Sequence, residues 1–557
     1  MATSTNWKEK IFPFLSWTPM LNRDTVAADL WAGVAAGVLI LPQAIALATL
    51  AELPPEIGIY TAIFPVIICA LFGSSWHVLS GPNTSISVMV AMIIGAISSV
   101  GTPDFIIYAI TLTFLVGVIQ VAWGFFKLGG VFNYFSHTVM MALVIGVGFI
   151  IIIQQLGNFF GLTITGGEPV EDTLYSIFFR LPDANWYATS LGAMTVATGL
   201  VVRKYRPKWP NVILATSTGL IGLWLFENVF FGSDINVDKL GYLSLDAIPL
   251  SMPDFSPTRF YEVAEALIMA AFMISFLGLM QSAVIARAMA VKSGQIIDIN
   301  QEVIGQGLSN LGGAFMSCYP SCGSFNRSAA NYEAGGRTPL VGIFSAIALA
   351  GLVILAAPVL AYLPLSVVAG VLFLVGIGLI DVTYIKKVIS VRGTSRNVFL
   401  LTLFVTVYGG LEWAVMLGIF LSIVVYLRSV SRPEIDIVNS NEAHQYLPEG
   451  VSDEDATVVH MAGSIFFGST ATLERIFADI ASQDERKNAL IIAGEYIDNM
   501  DEAGATSLLN ESLKRKQAGG AMYMWLRNDK LDSIMKTSGL LDAIGTDNIM
   551  HVNAVEE

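Results

Sequence analysis

Charge is scarce in this 557-residue sequence. Asp, Glu, Lys and Arg make up 13% of it and hydrophobic residues 54%, whereas a soluble domain carries about 25% charged residues. The shortage excludes a disordered chain, a coiled coil and an ordinary cytosolic enzyme. Cysteine is scarcer. Cys69, Cys318 and Cys322 are the only three, and the Cys318/Cys322 pair offers two soft ligands where a structural metal site needs four. The five histidines, His77, His137, His444, His460 and His551, form no ligand cluster along the chain. No Walker motif and no nucleotide-binding glycine loop is present, which argues against ATP-driven work by this chain alone. Neither cofactor nor metal is expected, and no catalytic set that would make an enzyme. No secretory signal is expected either, since the first apolar stretch begins near Asp29, behind a polar head with Lys8, Lys10 and Arg23.

What charge there is lies unevenly. The formal total is −14. Residues 1–432 hold 21 basic and 22 acidic residues, a balance of −1, and residues 433–557 hold 9 and 22, a balance of −13. The expected organisation is therefore a cytoplasmic head (1–28), a transmembrane domain (29–432) and an acidic cytoplasmic domain (433–557). The acidic balance excludes nucleic acid as a partner and keeps the last domain off anionic lipid.

Long apolar runs fill the middle part, among them 138–153, 211–226, 263–285, 340–363 and 400–427. A helix needs roughly 20 residues to cross a hydrocarbon core of about 30 Å. The run 400–427 is too long for one crossing and reads as two, with a turn near Gly409–Gly410. About 14 spans result. Starting them in the cytoplasm puts 17 basic residues inside, including Lys127, Arg203, Lys204, Arg206, Lys208, Arg287, Lys292, Arg337, Lys386, Lys387, Arg392, Arg396, Arg428 and Arg432. Only Arg180, Lys239 and Arg259 fall outside, and Arg327 falls at membrane depth. That asymmetry predicts a multi-pass inner (plasma) membrane protein with both ends cytoplasmic. Glycines in or near the spans, such as Gly33, Gly37, Gly146, Gly148, Gly307, Gly312 and Gly313, predict close helix packing.

Two interruptions stand at matching places in the halves. Leu79-Ser80-Gly81-Pro82-Asn83-Thr84-Ser85 opens the third span, and Tyr319-Pro320-Ser321-Cys322-Gly323-Ser324-Phe325-Asn326-Arg327 opens the tenth. They are seven spans apart, an odd number, so the repeats run oppositely through the membrane. Extended backbone cannot face lipid and must line protein or a cavity. The helix after each break starts with free N–H groups and a positive dipole end, and two such starts converging make an anion site. Asn83, Thr84, Ser324 and Asn326 add donors and Arg327 a full charge. The alternative is a plain loop at Ser80–Pro82, with Arg327 facing Glu333 in the cytoplasm.

These residues carry a resemblance to the sulfate permease (SulP) family of anion transporters. It runs from about Asp29 to about Ile549. Its first motif is Leu41-Pro42-Gln43-Ala44-Ile45-Ala46-Leu47-Ala48, followed by Leu53-Pro54-Pro55-Glu56 and the Ser80-Gly81-Pro82 break. The strongest stretch is Asp298-Ile299-Asn300-Gln301-Glu302, then Gly323 to Asn331, then Ala334 to Leu340. The resemblance implies an all-α membrane domain of 14 spans in a 7+7 inverted, uracil-permease-like repeat. Spans 1–4 and 8–11 would form a mobile core, and spans 5–7 and 12–14 a gate. It further implies a homodimer, elevator-type alternating access and substrate contacts from Gln43, Leu47, Asn83, Thr84, Gln281, Ser324, Phe325, Asn326 and Arg327. Many members have an aromatic residue where Leu47 stands, some another where Asn83 stands, and Asn326 often is Ser. Cation-coupled members carry a carboxylate where this chain has Gln281, so symport by that route is in doubt here.

Past Arg432-Pro433, strands at 458–467, 489–493 and 522–526 alternate with helices at 473–481, 503–515 and 529–538. This alternation predicts a small α/β domain, which resembles the family's STAS domain. Related bacterial STAS proteins can be phosphorylated on a Ser where Glu502 stands, so that switch is chemically absent. A cytoplasmic partner of this domain is among the expectations. The functional expectation is a secondary transporter of inorganic anions, with sulfate first, bicarbonate second and dicarboxylate third. A nucleobase permease would want an acidic residue where Gln281 stands. An anion-sensing scaffold that signals through the STAS-like domain stays open.

Overall fold

The computed structural model describes residues 12–133, 136–162, 170–206, 209, 211–230, 237–241, 249–253, 256–391, 393–431, 433–438, 443–448, 451–452, 455–483, 489–527 and 530–551. Lys8, Lys10, Lys208, Arg392, Arg432 and Asp529 lie outside the described residues, as do the side chains of Arg259, Phe325 and Asn326. The chain divides into two compact units, Met1–Leu421 and Ser422–Glu557. The division falls inside the last apolar helix, ahead of the Arg432–Pro433 boundary expected from composition.

Fourteen helices among the described residues account for the expected spans. They are α1 (Arg23–Leu50), α2 (Pro55–Phe72), α3 (Thr84–Gly95), α4 (Pro103–Phe125), α5 (His137–Gln154), α6 (Trp186–Tyr205) and α7 (Asn211–Leu225) in the first half. The second half has α8 (Pro257–Ser293), α9 (Ile299–Ala314), α10 (Phe325–Glu333), α11 (Leu340–Leu360), α12 (Leu365–Leu379), α13 (Thr394–Phe404) and α14 (Leu411–Val430). Seven helical stretches are long and apolar enough to cross a membrane by length and composition alone, and three shorter apolar helices contain α3, most of α11 and most of α14. The turn expected near Gly409–Gly410 is there: a π-turn covers Val405–Gly409, and Gly410 has φ +88°.

Local chemistry sets these boundaries. Asn22 caps α1 in a reciprocal box with Thr25. Thr102 and Asn185 cap α4 and α6, and Asp298 accepts from Asn300 and Gln301 N–H at the start of α9. Asp29 of α1 is fully buried and reaches the start of α11. It accepts from Arg337 N (2.7 Å), Thr338 N (3.2 Å) and the Thr338 hydroxyl (2.6 Å).

The packing repeats when each helix is exchanged for the one seven later. α1 packs on α11 as α8 packs on α4, α2 on α11 as α9 on α4, and α6 on α12 as α13 on α5. The pairs α2·α9 and α5·α12 lie on the symmetry element, and each maps onto itself. This is the inverted 7+7 arrangement. Helices α1–α4 and α8–α11 form one packed group, and α5–α7 with α12 and α13 form a second. The α4·α9 contact is close because it is made by glycine. A Cβ on Gly307 would lie 2.5 Å from Val121 N, and one on Gly117 2.5 Å from Leu311 N.

The second unit is a five-stranded sheet in the order β3–β4–β5–β6–β7, with β3 (Glu434–Ile437), β4 (Ala456–Ile465), β5 (Ala489–Met500), β6 (Met522–Leu526) and β7 (Ile549–His551). Only β3 pairs antiparallel. Strand β5 buries side chains on both faces: Leu490 and Ile492 join one apolar cluster, Ile491 and Ala493 the other. The helices α15 (Thr470–Gln483), α16 (Glu502–Gln517), α17 (Lys530–Thr537) and α18 (Leu540–Ile544) complete the unit. Asp501 caps α16 through Gly504 N (2.8 Å) and also accepts from Phe467 N (3.0 Å). Glu502, at the position considered for a switch, is the exposed first residue of α16.

Replacing Gly307 with Leu forces α4 and α9 apart against backbone atoms, and overpacking of this kind costs about 1–3 kcal/mol or more. Gly351 of α11 has nothing within 4 Å of its would-be Cβ. The thermal midpoint of detergent-solubilised protein should fall by several degrees for Gly307→Leu and stay unchanged for Gly351→Leu. Equal midpoints would contradict the packing described.

Candidate functional site

The two interruptions meet. β1 (Ser80–Gly81) pairs antiparallel with β2 (Cys322–Gly323), with Ser80 opposite Gly323 and Gly81 opposite Cys322. Each strand is only two residues long, and each leads straight into a short helix, α3 from Thr84 and α10 from Phe325. Both starts are thereby held side by side. Ser324 N donates to Leu79 O (3.1 Å), Asn83 Nδ2 to Gly323 O (3.4 Å), and Leu79 N to the Ser328 hydroxyl (3.1 Å).

A buried polar layer fixes this crossing from behind. The Gln306 amide of α9 donates to the Ser80 hydroxyl (2.9 Å) and Ser321 O (3.0 Å), and its oxygen accepts from the Ser80 hydroxyl. One turn on, Asn310 Oδ1 accepts from Ser321 N (2.7 Å), and its amide donates to Gln120 Oε1 of α4 (2.8 Å). Gly323 N donates to the Ser282 hydroxyl of α8 (2.9 Å). Extended backbone inside a membrane domain needs such partners, because no water or lipid supplies them.

A cavity of about 40 Å³ opens at the two helix starts. It is lined by Gln43, Ala46 and Leu47 of α1, Pro82, Asn83 and Thr84 at the start of α3, Ser324 at the start of α10, and Leu372 and Val375 of α12. Drug-sized ligands take pockets of ~300–1,000 Å³, so this space is far smaller than such a pocket. Asn83 commits its side-chain oxygen to Ser85 N (3.0 Å). Ser324 makes no side-chain cap to α10, so the first N–H groups of that helix are not consumed by its own cap.

Arg327 is the third residue of α10, and its side chain is 5% exposed. Its guanidinium lies against Gly81, where a Cβ would sit 2.7 Å from Nη2 and 2.9 Å from Nη1. Gly81 also has φ +154°, a conformation that only glycine adopts easily. Nη2 finds no hydrogen-bond partner among the described residues. Glu333 is exposed and makes no ion pair with Arg327, so the loop alternative, with those two facing each other, does not hold.

Of the nine residues expected at the site, Gln43, Leu47, Asn83, Thr84 and Ser324 line the cavity. Arg327 stands behind Gly81. Gln281 of α8 also stands outside the lining, its amide donating to the Ser85 hydroxyl (3.3 Å) while its oxygen accepts from Cys322 Sγ (3.5 Å). Phe325 and Asn326 open α10. Sequence reasoning missed Ala46, Pro82, Leu372 and Val375. Ala46 follows Gln43 by one helical turn and could have been found so. The three cysteines are buried free thiols, and no group of three or more metal-ligating side chains occurs among the described residues.

The profile of the Sulfate permease family matches residues 26–402. The chain is 25% identical to Sulfate transporter 4.1, chloroplastic, of Arabidopsis thaliana, over 97% of this chain and 81% of that protein. It is 26% identical to the Putative sulfate transporter YvdB of Bacillus subtilis, over 94% and 96%. The fold is similar to the murine Solute Carrier 26 family member A9 anion transporter, solved in an inward-facing state, with a TM-score of 0.83 at 18% identity over 99% of this chain and 94% of that one. It is also similar to the transmembrane domain of a cyanobacterium bicarbonate transporter, BicA, with a TM-score of 0.62 at 24% identity over 72% and 98%. Apolar helices in this number, arranged as an inverted repeat around a paired break, together with that profile match, make this chain a multi-pass membrane protein of the sulfate permease family of anion transporters.

Proposed function

We propose that this protein carries small inorganic anions across the plasma membrane, sulfate first among them, and that the cavity between the starts of α3 and α10 binds the anion. The observation that carries this reading is Arg327, a buried guanidinium with no carboxylate partner among the described residues, beside two helix N-termini. Each N-terminus presents roughly +0.5 of a charge. A buried charge without a partner costs several kcal/mol, and an anion in the cavity offsets that cost. Gln43, Asn83, Thr84 and Ser324 supply neutral donors, and Gln281 keeps α8 against Ser85. Sulfate is favoured by the names of the relatives, and bicarbonate is the rival because of the cyanobacterial transporter domain.

In this reading the packed group α1–α4 with α8–α11 is the mobile core, and α5–α7 with α12–α14 the gate. The cavity has walls from both: α1, α3 and α10 on one side, Leu372 and Val375 on the other. Sliding the core past the smooth apolar face of α12 would expose the anion alternately, as an elevator does. Both termini would be cytoplasmic, two copies would assemble as a homodimer, and the second unit would be a STAS-like domain. Its Glu502 gives a permanent charge at the start of α16, which stabilises the helix.

Counterflow of labelled sulfate and bicarbonate into proteoliposomes tests the reading. Arg327→Ala should raise the half-saturating concentration of the preferred anion roughly tenfold or more, the scale of a lost hydrogen bond to a charged group. Transport equal to the parent would remove Arg327 from the site. Gly81→Ala pushes a methyl into the guanidinium without touching its charge. It should also weaken anion affinity, while stability in detergent falls by about 1 kcal/mol or more from the backbone conformation. Unchanged affinity in this variant would mean that the position of the guanidinium does not matter.

A further inference from the structure

The carboxylates buried in the first unit, among the described residues, are those of Asp29 and Glu302. Asp29 is satisfied by three donors. Glu302 is not. It lies in the first turn of α9, 2% exposed. Its Oε2 accepts from Ser74 N and Ser75 N, both at 2.8 Å. Its Oε1 is buried with no hydrogen-bond partner, and no cationic side chain pairs with it among the described residues. An isolated charged carboxylate in such surroundings is costly, and a neutral acid has an O–H where this one has an empty oxygen.

The position matters for what lies downstream. Residues 74–80 run from the end of α2 to β1, and α9 holds that run at both ends: Glu302 at Ser74 and Ser75, and Gln306 one turn later at Ser80. Gln295 and Gln301 add bonds to the same run and its start, from their amides to Ser74 O and Phe72 O, both at 2.7 Å. Glu302 thus helps hold the segment that delivers Gly81 and the start of α3.

We propose that Glu302 is a proton-binding site that couples anion movement to the proton gradient, in place of the missing carboxylate at Gln281. The proton goes onto Oε1 and gives a neutral acid, with Oε2 still facing the two N–H groups. A neutral acid accepts more weakly than a carboxylate, so the grip on Ser74 and Ser75 loosens when the proton is on and tightens when it leaves. This inference rests on the anion-transport reading. The other ionisable groups around Glu302 are few. Cys69 of α2 is a buried thiol beside it. His77, in the held run, puts Nε2 against Gly336 O (3.1 Å). Asp298 is occupied in capping α9. Asp104 and Tyr108 belong to the opposite end of α4, and Glu56 and Tyr60 to the opposite end of α2; Lys127, just past the near end of α4, is exposed, and neither it nor Arg287 or Lys292 of α8 makes an ion pair with Glu302.

Glu302→Gln keeps the shape and one acceptor oxygen for the Ser74 and Ser75 N–H groups, but cannot exchange a proton. The readout is the ratio of anion uptake with and without an inward proton gradient in the same proteoliposomes, so that the amount of active protein cancels. The parent should be stimulated several-fold and E302Q not at all. A parent indifferent to the gradient, or an E302Q variant still stimulated by it, overturns the proposal. Infrared difference spectra of purified protein between acid and neutral pH give a second readout that needs no transport. Subtracting the E302Q difference from that of the parent should leave one protonated-carboxyl C=O band that titrates. If the parent moves no anion at all, the transport reading fails by itself, and the band still decides whether Glu302 takes a proton; its absence from the subtracted spectrum refutes the site.

Discussion

Ser80–Gly81 and Cys322–Gly323 pair through their backbones at the point where the two halves of the chain cross, and the site depends on that pairing. Extended backbone inside an apolar domain has only protein to bond with. Here the strands bond to each other, and Gln306, Asn310, Ser282 and Ser328 take up groups at their flanks. The buried polar residues of α9 and α4 are thus the cost of stopping two helices short inside the domain. The gain is that α3 and α10 begin next to each other at the same small cavity.

Electrostatics follows from the same geometry. Two helix starts and the Arg327 guanidinium make the region positive, and the nearest polar side chains are neutral amides and hydroxyls. Gly81 is what allows the guanidinium to lie so close, because any side chain there would occupy its place. The cavity is small, and its wall on α12 is apolar. Such a wall offers an anion no hydrogen-bond donor, which fits the proposed sliding of the core past it. The −14 net charge of the chain has no part in this: nearly all of it lies in residues 433–557.

The breaks were legible in the sequence because Gly and Pro interrupt apolar runs at matching places, and the odd count of spans between them forces an inverted repeat. The turn at Gly409–Gly410 was legible for the same reason. Gln43, Leu47 and Gln281 came only from family resemblance, since nothing in their spacing marks them. Leu372 and Val375 were illegible: an apolar lining residue inside an apolar run looks like any lipid-facing one. The clamp of Glu302 on Ser74 and Ser75 joins residues 228 and 227 positions apart, beyond any local pattern. In the second unit, β5 was read as five residues and has twelve, because its far half carries Glu495, Asp498 and Asn499. Strands β3 and β7, with four and three residues, are too short for periodicity to find.

The central claim is that one anion sits between the starts of α3 and α10 beside Arg327. Anomalous scattering from selenate, a heavier copy of sulfate, locates it directly in crystals of the protein. The account predicts a single strong peak within hydrogen-bond reach of the Thr84 and Ser324 backbone, on the side of Gly81 that faces Gln43. A peak elsewhere in the membrane unit, with this cavity empty at saturating selenate, would contradict it.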